Sequence, residues 1–208
     1  DSLSFSGDYT IQAWVRLDQL AVAKGSDNYI MVKRGSPSYE YGLVQNNASG
    51  SNRMTFVAQN QEGSYFSADY TGTLTTGTWY HVAGVKESNV LKVYINGIVS
   101  IGDAFTGSTY NSSNPLYVGS YYDSSNTEGV IDEVKIYNYA RTPAQIIEDM
   151  NAGHPAPGSP AGSASSSTRE TPTGRGASRA RCAPCPCWWR WRKTWKGCAR
   201  RPSSSTSP

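Results

Sequence analysis

An adjacent acidic pair, Asp132 and Glu133, lies between Val130, Ile131, Val134 and Ile136 in the stretch GVIDEVKIYNYARTPAQI. Two neighbouring carboxylates could serve as general acid and base, as metal ligands, or as structural acceptors. Consecutive residues of a strand point to opposite faces, so these two carboxyls diverge and cannot flank one scissile bond. Strict alternation puts Asp132 with Val130, Val134 and Ile136, and Glu133 with Ile131, Lys135 and Tyr137. A carboxylate on an apolar face is costly unless it is paired or fully hydrogen-bonded. Two fates meet that demand. Asp132 accepts backbone N–H groups or a basic partner, or it ligates a structural Ca²⁺, which takes hard oxygen donors. Asp8 is the second carboxylate for such an ion if the first and last strands pair. No DxDxDG-like calcium loop accompanies them.

Other catalytic chemistry has little to work with. His81 and His154 are the only histidines, and no GxSxG context supplies a nucleophile. His81 alternates with Trp79, Ala83 and Val85, which reads as a hydrogen-bonded histidine on a largely buried face. No cysteine occurs in residues 1–154, so zinc lacks ligands there. The Gly-rich stretches are turns and precede no helix in the manner of a phosphate cradle. A glycanase would need two facing carboxylates, and Glu40, Glu62, Asp69 and Asp123 are the available stock. The expectation is therefore a protein that is not an enzyme. What remains as functional surface is aromatic and amide side chains on loops. Tyr39 and Tyr41 flank Glu40, while Tyr121, Tyr122 and Asp123 precede the last strand, beside Asn126. Exposed rings stack on the C–H faces of sugars, and amides and carboxylates hydrogen-bond hydroxyls, so these six are the candidate ligand-binding residues.

The elements that position them read as strands. Thr10–Leu17 (TIQAWVRL) alternates with period two, with Trp14 the large residue on its outer side. Tyr29–Lys33, Tyr39–Gln45, Arg53–Gln59, Ser64–Tyr70, Trp79–Lys86, Val90–Ile95, Ile98–Ile101, Leu116–Ser120 and Gly129–Tyr137 follow, bounded by Gly, Ser, Asn and Pro. Asn96-Gly97 between two apolar runs is a strong hairpin signal, because both residues tolerate positive φ. About eleven short strands predict an all-β antiparallel sandwich or jelly roll. One helix closes it: Thr142 caps, Pro143 takes the first helical position, Ile146, Ile147 and Met150 recur at helical spacing, and Gly153 ends it.

The order TIQAWVRL, TWYHVAGVKESNVLKVYINGIV, LYVGS and GVIDEVKIYNYARTPAQI resembles the laminin-G-like, concanavalin-A-like jelly-roll family over about residues 3–150. The resemblance implies two stacked antiparallel sheets and an extracellular or cell-surface recognition module of a larger secreted protein. It further implies a polysaccharide or glycoprotein glycan as partner, and it supports a calcium near sheet-edge loops. A structural or adhesive spacer without a small ligand is the other non-catalytic expectation. The family's first strand is represented here by Leu3–Ser6 alone.

Composition divides the chain into a domain, 1–153, and a tail, 154–208. All fourteen tyrosines lie in residues 1–154, where nine Lys and Arg oppose fifteen Asp and Glu, a formal −6. Residues 155–208 hold ten bases and one acid, a formal +9, so the overall +3 describes neither part. No nucleic acid is expected for the acidic domain, and no apolar run reaches the roughly 20 residues of a membrane span. Opening as DSLSFSGDYT, without an initiator Met or a signal peptide, the chain is expected to be a piece of something longer. The linker-like HPAPGSPAGSASSS leads to CAPCPCWWRWRKTWKGCARR. Four cysteines for zinc, a Trp/Arg surface for an anionic partner, and a fusion scar are all open for that segment. Its abrupt switch to Pro, Arg, Ser, Cys and Trp fits a shifted reading frame of GC-rich DNA best, with a natively coded Pro/Ser/Arg-rich disordered basic tail second.

Overall fold

The computed structural model of the chain describes residues 3–35, 38–121 and 125–153. Tyr122, Asp123, His154 and the tail lie outside the described residues. The strands are β1 (Tyr9–Leu17), β2 (Asn28–Arg34), β3 (Tyr39–Asn46), β4 (Arg53–Gln59), β5 (Tyr65–Tyr70) and β6 (Trp79–Glu87). They continue as β7 (Val90–Ile95), β8 (Ile98–Ala104), β9 (Leu116–Val118), β10 (Ser120–Tyr121), β11 (Ser125–Asn126) and β12 (Gly129–Tyr137). Two α-helices, α1 (Ala21–Lys24) and α2 (Pro143–Gly153), and a 3-10 turn at Ala48–Gly50 complete the set among the described residues. One five-stranded sheet runs β12-β1-β6-β7-β8 and the other runs β5-β4-β3-β2-β9, and every pairing is antiparallel. The result is a jelly-roll β-sandwich.

Alternation accounts for the core. Ile11, Ala13, Val15 and Leu17 of β1 meet Leu43, Met54 and Phe56 of the facing sheet in one buried cluster. Asn96 (φ 50°) and Gly97 (φ 80°) make the tight turn that joins β7 to β8, as that dipeptide predicts. Leu3–Ser6 forms no strand. The segment runs irregularly, and Phe5 enters the core to stack on Tyr9 at 5.1 Å between ring centroids.

Straight alternation fails on β12. Ile131 and Ile136 lie five residues apart, yet both pack on the core. Between Gln12 and Trp14 of β1, the partners on β12 step from Lys135 to Asp132, one residue more than the register requires. This β-bulge is centred on Glu133, whose φ is +51°. Asp132 is therefore not a carboxylate on the apolar face. Its Oδ1 accepts the Glu133 backbone N–H at 2.9 Å and so caps the bulge.

Helix α2 closes the outer face of the first sheet. Thr142 and Gln145 form a reciprocal capping box: the Gln145 N–H donates to Thr142 Oγ1 at 3.3 Å, and the Thr142 N–H to Gln145 Oε1 at 2.9 Å. Ile146 is buried against Ala83, Val85 and Tyr94. Asp149 accepts from Arg141 Nη2 at 2.5 Å and from the Tyr137 hydroxyl at 3.1 Å. His81 is buried on this face against the edge of Trp14, with ring centroids 5.5 Å apart. Its Nδ1 has no hydrogen-bond partner among the described residues, which corrects the hydrogen-bonded histidine expected from the pattern. Burial, aided by Lys135 and opposed by Asp149, lowers its pKa to about 4.

A buried ion pair ties the N-terminal segment and the loop around Ser112 to β2 and β3. Lys33 and Glu40 side chains have no exposure, and Lys33 Nζ lies 2.6 Å from Glu40 Oε2. Nζ also donates to the Ser4 hydroxyl at 3.0 Å and the Ser112 carbonyl at 2.6 Å, while Oε2 accepts the Ser112 N–H at 2.9 Å. Glu40→Gln leaves the ammonium buried without its counter-charge. The expected outcome is a loss of about 3–5 kcal/mol in urea unfolding, with the double variant Lys33→Met/Glu40→Leu recovering most of it. A loss below about 1 kcal/mol for Glu40→Gln would contradict this account.

The His81 pKa carries a second prediction. An unfolded histidine takes up its proton near 6.5, whereas folded His81 resists until about pH 4. Its stabilising effect is thus complete above about pH 6.5, falls as the pH drops through that window, and is gone below about 4. The expected loss is about 2–3 kcal/mol. His81→Gln should flatten this part of the pH profile of the melting temperature.

Candidate functional site

The face of the second sheet turned away from the main core carries a separate aromatic cluster. Tyr29, Val32 and Val44 form its buried floor, with Tyr39, Tyr117 and Tyr121 packed against them. The rings and one guanidinium line up across the strands. Tyr65 of β5 meets Tyr39 of β3 edge-on at 5.9 Å between centroids. Arg34 Cζ of β2 sits 4.1 Å from the Tyr39 ring centroid and 4.6 Å from that of Tyr121. Tyr121 then meets Tyr117 of β9 edge-on at 6.0 Å, and Tyr29 at 5.4 Å. Five strands at about 4.8 Å spacing make this strip about 19 Å long.

A second bulge creates the strip. On β2, Lys33 pairs with Tyr41 and the next residue, Arg34, pairs with Tyr39, so Glu40 is the extra residue. Residues 39 and 41 would share a face in a regular strand. Here Tyr39 joins the outer cluster, while Tyr41 turns into the core, fully buried against Phe5 and Tyr9, and donates its hydroxyl to the Leu3 carbonyl at 2.9 Å. Tyr41 is corrected from a surface ligand-binding residue to a core residue. Arg34 Nη1 donates to the Tyr39 hydroxyl at 2.8 Å and the Tyr29 hydroxyl at 3.3 Å. Burial and the bond to Tyr29 hold the Tyr39 phenol well above its ordinary pKa, so the ring stays neutral.

The loop bearing Tyr121 is tied down at its base by Lys24. Lys24 Nζ donates to the carbonyls of Asp27, at 3.0 Å, and Asn126, and to Asn28 Oδ1 at 3.3 Å. Thr127 reinforces the anchor through Oγ1 to the Tyr29 carbonyl at 2.8 Å and N–H to the Gly119 carbonyl at 2.8 Å. Asn126 thus serves the loop through its backbone, while the residue stays exposed. Tyr122 and Asp123 are outside the described residues.

The expected calcium pair does not assemble. Asp8 precedes Tyr9 at one end of β1, and Asp132 pairs with Trp14, six residues further along. At the rise of a strand the two lie about 20 Å apart. Asp8 Oδ1 instead accepts the Ser88 N–H at 2.7 Å. Among the described residues no three His, Cys, Asp or Glu side chains gather in a way that could hold a metal ion. The acids considered for glycan hydrolysis are dispersed too: Glu40 is buried on Lys33, Asp69 of β5 accepts from Thr55 and Arg53, and Glu62 lies exposed in the β4–β5 turn.

Arg34, Tyr29, Tyr65 and Tyr117 escape a reading by sequence. Each sits at or near a strand end, and only the pairing of β5, β3, β2 and β9 brings them beside Tyr39 and Tyr121. No local motif announces that meeting.

Two antiparallel five-stranded sheets, with one outer face sealed by a helix and the other carrying an aromatic strip, define a jelly-roll domain of the lectin type. The chain belongs to the concanavalin A-like lectin/glucanases superfamily, whose laminin-G-type model matches residues 1–147. No curated protein matches it. Among solved structures it is similar to domain 4 of AbnA, a GH43 extracellular arabinanase from Geobacillus stearothermophilus, in complex with arabinotriose. That likeness has 24% identity and a TM-score of 0.57, covering 72% of this chain and 69% of that one. A putative carbohydrate binding protein from Bacteroides ovatus gives 22% and 0.57, over 71% of this chain and 42% of that one. The binding domain of Paraclostridial Mosquitocidal Protein 1 gives 15% and 0.59, over 73% and 39%. The chain spans less than half of the latter two, and at these identities the likeness is one of fold. No helix among the described residues is long and apolar enough to cross a membrane.

Lys24→Met tests the anchor. Hydrogen exchange should quicken by about tenfold or more at the Thr127 and Gly119 amides while β3 and β4 stay protected. Unchanged exchange in the loop would show that Thr127 alone holds it.

Proposed function

We propose that the domain is a non-catalytic glycan-binding module of a larger secreted or cell-surface protein, with the Tyr65–Tyr39–Arg34–Tyr121–Tyr117 strip as its binding face. The observation that carries this is the alignment of half-exposed rings across five strands on one open face. Phenol rings present flat apolar surface to sugar C–H faces, and their hydroxyls and the Arg34 guanidinium supply hydrogen bonds. The rings are braced by their neighbours, so little side-chain freedom is lost when a ligand lands. Its length suits a short oligosaccharide rather than a single sugar. The arabinotriose complex of the AbnA domain is a precedent within the fold.

Hydrolysis has no support in the strip, because none of its members is a carboxylic acid. The calcium expected from Asp8 and Asp132 plays no part in this mode of binding. The spacer alternative draws on a different observation, the edge strand β8, where Ile98 and Ile101 are 66% and 71% exposed, as a seam for a neighbouring domain.

Affinity electrophoresis in gels of soluble polysaccharides, repeated with Ca²⁺ and with EDTA, separates these readings. At least one polysaccharide should retard the protein, equally under both conditions. Tyr39→Ala and Tyr121→Ala should each weaken binding about tenfold without moving the melting temperature by more than a few degrees. No retardation by any polysaccharide would favour the spacer.

A further inference from the structure

We propose that the strip selects an acidic oligosaccharide, one carrying an isolated carboxylate such as a uronic acid residue, and that Arg34 is its specificity-determining side chain. This rests on the glycan-binding reading and names the chemical class of the ligand. Nine lysines and arginines occur in residues 1–154. Arg16, Lys33, Arg53, Lys92, Lys135 and Arg141 each meet a carboxylate. Lys24 and Lys86 donate to backbone carbonyls. Among the described residues Arg34 alone has neither. Among the described residues its hydrogen bonds go only to the phenols of Tyr29 and Tyr39, both from Nη1.

The guanidinium is also held in place. Ring centroids 4.1 and 4.6 Å from Cζ hold it by cation–π attraction, and with both hydrogen bonds made by Nη1, Nη2 and the buried Nε are left as unspent donors. A planar donor with a fixed orientation and a full charge matches a carboxylate better than it matches a hydroxyl. Among the described residues the acid in the hydrogen-bond network is Asp27, which reaches the site through the Tyr29 hydroxyl at 3.4 Å and spends its other oxygen on the Asn47 N–H at 3.1 Å. It sits one phenol away from the guanidinium and does not neutralise it directly.

The surrounding charge narrows the class. Fifteen acids against nine bases in residues 1–154 repel a polyanion at long range. The ligand that fits is therefore mostly neutral, with one acidic group placed against Arg34, rather than a sulfated or fully uronic chain.

Calorimetric titration of the full chain with xylo-oligosaccharides, with and without a single glucuronic acid branch, tests this. The branched ligand should bind about tenfold more tightly, and the difference should shrink as salt is raised. Arg34→Gln should equalise the two ligands, and Arg34→Lys should retain part of the preference; circular dichroism of both variants checks the fold. The basic tail is present in every protein compared, so a preference that survives Arg34→Gln belongs to the tail and overturns the inference. Equal binding of the two ligands, abolished by Tyr121→Ala, overturns it while leaving the glycan-binding reading intact. No binding of either ligand, together with no retardation by any polysaccharide, overturns both.

Discussion

The buried Lys33–Glu40 pair is the interaction on which the functional face depends. Two charges without solvent exposure are tolerable only because each is met by further polar groups, Ser4 on one side and Ser112 on the other. That demand fixes three separate pieces of chain at once: the irregular N-terminal segment, the β2–β3 end of the second sheet, and the loop around Ser112. It also explains why Glu40 is the extra residue of its bulge. A carboxylate that must turn inward to meet Lys33 cannot keep a regular place between Tyr39 and Tyr41. The bulge then sends the two tyrosines in opposite directions, one to the core and one to the surface. The ion pair and the aromatic strip are thus two consequences of one local irregularity, since Arg34 and Tyr39 are the immediate neighbours of Lys33 and Glu40.

Most of the fold was legible in the sequence because the hydrophobic effect writes it with period two. Strand positions, the Asn96-Gly97 hairpin and the capped final helix all follow from local chemistry that tertiary packing does not override. The site was much less legible, and bulges are the reason. Each inserts one residue and reverses the parity of everything beyond it. At Glu133 this overturned the faces assigned along β12; at Glu40 it separated Tyr39 from Tyr41. A bulge leaves no compositional mark when its extra residue is a glutamate rather than a glycine. The small helix Ala21–Lys24 and the β10–β11 hairpin were missed for another reason: they are too short to show any period.

The carboxylate pair that opens the question of chemistry resolves on the same grounds. Asp132 lies where β12 bulges, and its side chain satisfies the amide that the bulge frees. An acid beside an irregular strand is as readily a backbone cap as a ligand. Distance along the paired strand then decides the matter, since Asp8 caps Ser88 at the far end of β1. Buried or half-buried acids in this domain are consumed by structure: Glu40 by Lys33, Asp149 by Arg141 and Tyr137, Asp69 by Thr55.

Asymmetry between the two outer faces directs recognition to one of them. On the first sheet, Trp14 and His81 are aromatic and face outward, yet both are buried, and the Ile146–Asp149 turn of α2 packs on the same side. Any ligand there would have to displace a helix pinned by Arg141, Tyr137 and Lys135. Among the described residues the second sheet has no such cover over its Tyr39–Tyr65 end, where Tyr65 is half exposed. Its aromatic side chains instead brace one another through Arg34. A cation between two rings costs less to keep dry than one facing aliphatic neighbours, because the π-faces supply part of the lost hydration. That arrangement lets a charged group stand in an apolar strip with no described acid paired to it, and so keeps a positive charge at the face that the described residues leave open.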